Sequence, residues 1–140
     1  MPGAINYQAG GTIGPARFVM ANYPIDYQVK TADGTQPIFG VTQMGCLNPP
    51  GTPGFDANVA ATSGQYIGVF QDEAFDECLL YLGASCTGGQ LLKSDSNGLG
   101  VPLNISSTSA QYVGAEARQT GVSGDLIKVR PRLNTTGRMA

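Results

Sequence analysis

The sequence predicts an all-β fold: a single compact, glycine-rich β-barrel or sandwich with an extended N-terminal arm and a C-terminal tail. Three observations carry that prediction. One phrase recurs, as Ile38-Phe39-Gly40-Val41, Tyr66-Ile67-Gly68-Val69 and Tyr112-Val113-Gly114-Ala115. Each copy sets two bulky residues that favour a pleated, half-buried surface before a glycine and a small or branched apolar residue. A glycine inside such a run marks a bulge or a close approach of another backbone. Next, short apolar runs alternate with glycine-rich and Asn-Gly turn chemistry along the chain. Finally, no window sustains a helical period, beyond a single turn around Asp72 to Glu77. Many short strands with such punctuation point to a barrel or sandwich.

The elements follow in order. Residues 1–15 hold Gly3, Gly10, Gly11, Gly14, Pro2 and Pro15 with little apolar pattern. They read as an extended arm or as a disordered terminus. Residues 16–131 form the β domain. Ala16-Arg17-Phe18-Val19-Met20 opens it as a strand, and Asp26 to Thr31 alternates with Tyr27 and Val29 on one face. Asp33-Gly34 is a turn before the strand Pro37 to Thr42, which carries the first copy of the phrase. Residues 46–63 form a proline-rich insertion. Its run Leu47-Asn48-Pro49-Pro50-Gly51-Thr52-Pro53-Gly54 fits neither helix nor central strand and reads as a surface excursion. A loop of this length inside a compact domain is usually functional or mobile. Strands then follow at Gln65 to Phe70, Glu77 to Gly83 and Gln90 to Lys93. Ser94-Asp95-Ser96-Asn97-Gly98 is a hairpin turn, Gln111 to Ala117 holds the third copy, and Asp125 to Arg130 closes the sheet before Pro131. Residues 132–140 are a polar, basic tail.

Composition narrows the function. The chain has 140 residues, enough for one domain with a real core. Glycine, at 20 residues, is about double its usual ~7% share, and charged residues, at 13%, are about half the usual ~25%. A weakly charged surface suits a chain packed against neighbours. The formal net charge is −2, so the domain as a whole is not drawn to nucleic acid. Acidic Asp72, Glu73, Asp76 and Glu77 cluster mid-chain, and basic Lys128, Arg130, Arg132 and Arg138 cluster near the end. The basic group reads as a contact to an acidic partner surface, a solvated strand end, or a phosphate contact without interleaved aromatics. No segment is apolar enough to span a bilayer, and the first residues lack the basic start and apolar stretch of a signal peptide.

The chemistry of catalysis is sparse. The chain has no His and no Trp, so the commonest general base and metal ligand is missing. No nucleophile-elbow or phosphate-loop motif occurs. Asp95-Ser96-Asn97-Gly98 has half of a calcium-loop pattern but no closing Glu, and the hairpin reading takes precedence. The expectation is no catalytic residue, no metal site, no cofactor and no small-molecule substrate. Cys46, Cys78 and Cys86 are odd in number and read as reduced, packed thiols, with a Cys78–Cys86 bridge open if the two face each other.

Several motifs taken together resemble a known family. Tyr66-Ile67-Gly68-Val69 and the segment Asp72 to Ala74 precede Gly89-Gln90-Leu91-Leu92-Lys93-Ser94-Asp95-Ser96-Asn97-Gly98. Tyr112-Val113-Gly114-Ala115-Glu116-Ala117 and Gly124-Asp125-Leu126-Ile127-Lys128-Val129-Arg130 then follow. In order and spacing this resembles the small head decoration, or capsid cement, proteins of tailed bacteriophages. It covers roughly residues 37 to 130. The Cys46 to Ser63 insertion and the acidic Asp72 to Glu77 segment depart from the family pattern. The resemblance implies a virion protein made in the host cytoplasm. It would bind the outer capsid surface as a homotrimer and stabilise contacts between major capsid protein subunits.

Contact residues expected on this reading are Ile5, Tyr7 and Ile13 in the arm, Leu47, Pro49, Pro50, Pro53 and Phe55 in the loop, and Arg130, Arg132 and Arg138 in the tail. Leu47 and Phe55 would be apolar anchors, and the arginines would pair with carboxylates. The alternative is a β-rich binding module, such as a phage tail-fibre or carbohydrate-binding domain, using Tyr23, Tyr27 and Tyr81.

Overall fold

The computed structural model describes residues 5–48, 50–71, 77–104 and 111–132. Ten strands run through them: β1 (Ile5–Ala9), β2 (Phe18–Ala21), β3 (Gln28–Thr31), β4 (Gly40–Thr42), β5 (Tyr66–Phe70), β6 (Cys78–Tyr81), β7 (Leu91–Ser94), β8 (Gly100–Pro102), β9 (Ala115–Ala117) and β10 (Leu126–Pro131). Among the described residues there is no helix. The first five strands close a barrel in the order β1-β3-β2-β4-β5, and the rest form a second sheet in the order β6-β10-β9-β7-β8. The chain is therefore all-β, as its sequence predicts.

Strand alternation divides the core in two. Val19 of β2 joins Ala9, Ile13, Val29, Ala60, Ala61, Ile67 and Val69 in the cluster that fills the barrel. Its neighbours Phe18 and Met20 face the other way. With Ala32, Ile38 and Val41 they meet Leu80, Leu82, Leu92, Ile127 and Val129 of the second sheet. Each large apolar side chain so buried contributes roughly 1.5–3 kcal/mol. The junction thus holds the sheet against the barrel wall.

In two copies of the recurring phrase the glycine is required by crowding. The first two copies pair side by side, with Val41 opposite Phe70 and Thr42 opposite Val69. A Cβ on Gly40 would stand 2.5 Å from Val69 Cγ1 and 2.6 Å from the Phe70 carbonyl oxygen. In the third copy Tyr112-Val113-Gly114 precedes β9 rather than lying in it. There a Cβ on Gly114 would meet the Phe18 ring at 2.5 Å.

Two expectations need correction, and one strand, β8, lies where the sequence reading places none. Residues 5–9 are not an arm: β1 runs antiparallel to β5 (Ile5 to Gln8 against Val69 to Tyr66) and parallel to β3 (Gln8 and Ala9 against Gln28 and Val29). Without β1 the barrel would be open, so its backbone groups find partners in strands distant in sequence. Residues 1–4 lie outside the described residues. Tyr27 does not share a face with Val29, because its φ of 58° takes it out of β3 and leaves it 82% exposed. β8 follows the 94–98 turn and pairs with β7, Leu92 opposite Pro102. In that turn the Asp95 carboxylate accepts from the Asn97 and Leu99 amides at 2.8 and 3.0 Å, and Gly98 takes φ 81°. The outer strands of the second sheet meet at one end through a Leu82–Gly100 bridge, with the Gly83 amide donating to the Gly100 carbonyl at 2.8 Å.

No disulfide joins Cys46, Cys78 and Cys86. Cys78 opposes Val129 on β10 and Cys86 bridges Gly121, so the two are held against different partners. Cys78 and Cys86 are buried, Cys46 only partly, and burial pushes the Cys86 thiol up. Alkylation proceeds through exposed thiolate. Native chain treated with iodoacetamide at neutral pH should therefore take one label, at Cys46, and denatured chain three. Peptide mass spectrometry checks this, and rapid native labelling of Cys86 would contradict it.

Candidate interaction surface

The insertion between β4 and β5 is built from proline and glycine, which deny it a ladder. It is nonetheless tied together. The Leu47 amide donates to the Val59 carbonyl at 2.9 Å, and Asn48 Nδ2 donates to the Gly54 carbonyl at 3.0 Å. Asn58 Oδ1 accepts from Arg17 Nη2 at 3.2 Å, and Asp56 Oδ1 accepts from the Asn58 amide at 2.8 Å. At its base Ala61 bridges Ile13. The loop exposes Leu47 and Phe55, at 41% and 40%, and also Pro50 and Pro53. Pro49 lies outside the described residues. Met44, just before the loop, is exposed as well, and the sequence reading does not single it out. No local pattern marks it.

The other expected contact residues scatter. Ile5 is exposed on β1. Tyr7 is half-buried, its ring edge-on to Phe39 at 4.8 Å and its hydroxyl donating to Gln71 Oε1 at 2.7 Å. Ile13 is fully buried in the barrel cluster, its backbone bridged to Ala61, and so offers no surface. Arg130 sits half-buried on β10 with its Nε buried and unpartnered. Arg132 Nη1 already meets Glu116 Oε1 at 3.0 Å, and Arg118 lies 3.8 Å from Glu116 and 3.7 Å from Glu77. Such exposed pairs are worth at most about 1 kcal/mol, so Arg132 can exchange its partner cheaply. Arg138 lies outside the described residues. Tyr81 is half-buried beneath Arg17, whose Cζ lies 5.7 Å from the ring centroid.

A polar recess of about 390 Å³ opens between Asp33, Lys93, Ser94, Asp95, Gln111 and Tyr112. Its polar groups serve the fold. The Thr35 hydroxyl and amide bond the Asp33 carboxylate and hold it below the usual carboxylate range. Asp95 caps its turn, and the Gln111 side chain brackets the Asn104 backbone at 2.9 and 2.8 Å. Among the described residues no group of three or more His, Cys, Asp or Glu could hold a metal ion.

No protein-family model matches the chain, and no curated protein matches it. Among solved structures it is similar to the base of a head fibre, the gp8.5 N base of bacteriophage phi29. The match has a TM-score of 0.58 at 15% identity and covers 100% of this chain and 99% of that one. The two chains share a fold from end to end.

Proposed function

We propose that this chain is a structural protein of a bacteriophage head. On this reading it seats on the outer surface of the shell as a homotrimer and braces neighbouring major capsid subunits, with no catalytic role. The observation that carries the proposal is the end-to-end likeness to a phage head-fibre base. The order of the hairpin and strand motifs, which resembles head decoration proteins, supports it independently. The 46–63 loop supplies the grip. Leu47 and Phe55 stand out from a loop whose backbone is held by its own hydrogen bonds, so less loop freedom is lost on docking. Many copies with modest individual contacts give large collective avidity.

The test is co-sedimentation of purified chain with heads that lack it, together with its mass in solution by light scattering. Saturable binding at a fixed ratio to capsid subunits and a trimer mass are expected. The double variant Leu47→Ser/Phe55→Ser should bind heads about tenfold or more weakly, since buried anchors are worth upwards of ~1 kcal/mol each. Its melting temperature should hardly change, because neither side chain belongs to the core clusters. Undiminished occupancy would remove the loop from the contact.

A further inference from the structure

We propose that the end of the barrel opposite the 46–63 loop carries a binding groove for a neutral saccharide. β4 defines the two ends: Phe39 precedes it and the loop segment follows it. At the Phe39 end, two hollows of about 370 and 280 Å³ adjoin, sharing Ala21, Tyr23 and Phe39. Tyr23 stands between them, 76% exposed. Tyr7 and Tyr27 line the larger hollow, with Asp26 and Gln28 as its polar groups.

The platform is set before any ligand arrives. Tyr27 occupies the left-handed region, at φ 58°, a conformation bulky residues rarely adopt. Its carbonyl accepts from the Gln8 amide at 3.0 Å. Such an outlier persists where surrounding structure imposes it, and it turns this ring outward instead of into the sheet. The loop is closed by the Asn22 amide donating to the Gln28 carbonyl at 2.9 Å and the Ile25 amide to the Asn22 carbonyl at 3.0 Å. Behind it an amide ladder runs from Asn22 Nδ2 to Gln28 Oε1 at 2.6 Å and from Gln28 Nε2 to Gln8 Oε1 at 3.1 Å. The Gln28 amide is thus oriented with capacity to spare, since each amide offers two donors and two acceptor lone pairs.

The lining selects the ligand class. Ring faces of tyrosine accept the C–H faces of a pyranose, and their hydroxyls take hydrogen bonds. The Asp26 carboxylate only accepts, so it asks for donors such as a vicinal diol. No Lys or Arg lines either hollow, which disfavours phosphates and anionic polymers. A polyproline segment would stack on the rings but carries no amide donors, so it would leave the polar side of the larger hollow, Asp26 and Gln28, unused. Two hollows flanking one ring suit a short run of sugar units.

The experiment is an amide NMR titration of the full chain with maltohexaose, cellohexaose and chitohexaose, and separately with decaproline. Saturable shifts confined to residues 21–28 and 36–39 with at least one hexaose, in the range of about 0.1–1 mM, are expected. Tyr23→Ala and Tyr27→Ala should each weaken that binding about tenfold, the scale of a lost anchor. Tyr66→Ala, which removes an exposed tyrosine outside both hollows, should leave it unchanged. The spectra themselves report whether each variant is folded. Silence with all three hexaoses, shifts with decaproline alone, or equal weakening by Tyr66→Ala would overturn the proposal. Head co-sedimentation by Tyr23→Ala chain is a separate readout, so failure here and failure of the head-binding role are told apart.

Discussion

Phe18→Ala should destabilise the chain by about 3–5 kcal/mol, the usual loss for truncating a buried phenylalanine. That is a large part of the roughly 5–15 kcal/mol that holds a domain together. Phe18 is fully buried and lies where barrel and second sheet meet. Its ring fills the space left by Gly114, and its backbone ties two more segments: its amide donates to Gly98 and its carbonyl accepts from Ala32. Those hydrogen bonds survive the substitution, so the loss reports packing alone. A melting temperature lower by roughly 10–15 °C is expected. Urea unfolding followed by far-ultraviolet dichroism measures the free-energy loss, and a thermal scan the melting temperature. A loss under about 1 kcal/mol would mean that the junction is loosely packed, contrary to the buried cluster described.

Gly40→Val should be the second large effect. The added Cβ would meet both the Val69 side chain and the Phe70 carbonyl oxygen at under 3 Å. A side chain can rotate away. A backbone oxygen moves only by disturbing the pair Val41–Phe70, which helps close the barrel. Overpacking typically costs about 1–3 kcal/mol, and here relief requires the strand itself to shift. Gly11→Ala is the control, because nothing lies within 4 Å of the position its Cβ would take. That variant should stay within about 0.5 kcal/mol of the parent. If both variants were neutral, Gly40 would have no steric role.

Much of this was legible in the chain. β5, β6, β7 and β10 stand out because their apolar runs end at turn residues, and Asn97-Gly98 marks the β7–β8 hairpin. β1 was hidden. Ile5-Asn6-Tyr7-Gln8 sits among glycines, and its partner β5 lies some 60 residues away, so only closure of the barrel reveals it. Ile13 was misread for the same reason: an isolated apolar residue in a glycine-rich segment carries no period, yet it is core. β8 is three residues ending in proline, too short for alternation to register. The surface loop was visible through its prolines, and Leu47 and Phe55 do stand exposed. The internal partner of Arg132 was not, since the β9–β10 register that sets Arg130 against Glu116 brings them together only in the folded sheet.

The Leu82–Gly100 bridge has a consequence for crowding. One set of strands forms a complete ring, and in the other the two outermost members touch, one of them carrying Pro102. Unsatisfied ribbon margins are what let β proteins zip into fibrils at high density. With so little free margin among its described strands, the molecule resists edge-to-edge zipping even where copies stand shoulder to shoulder.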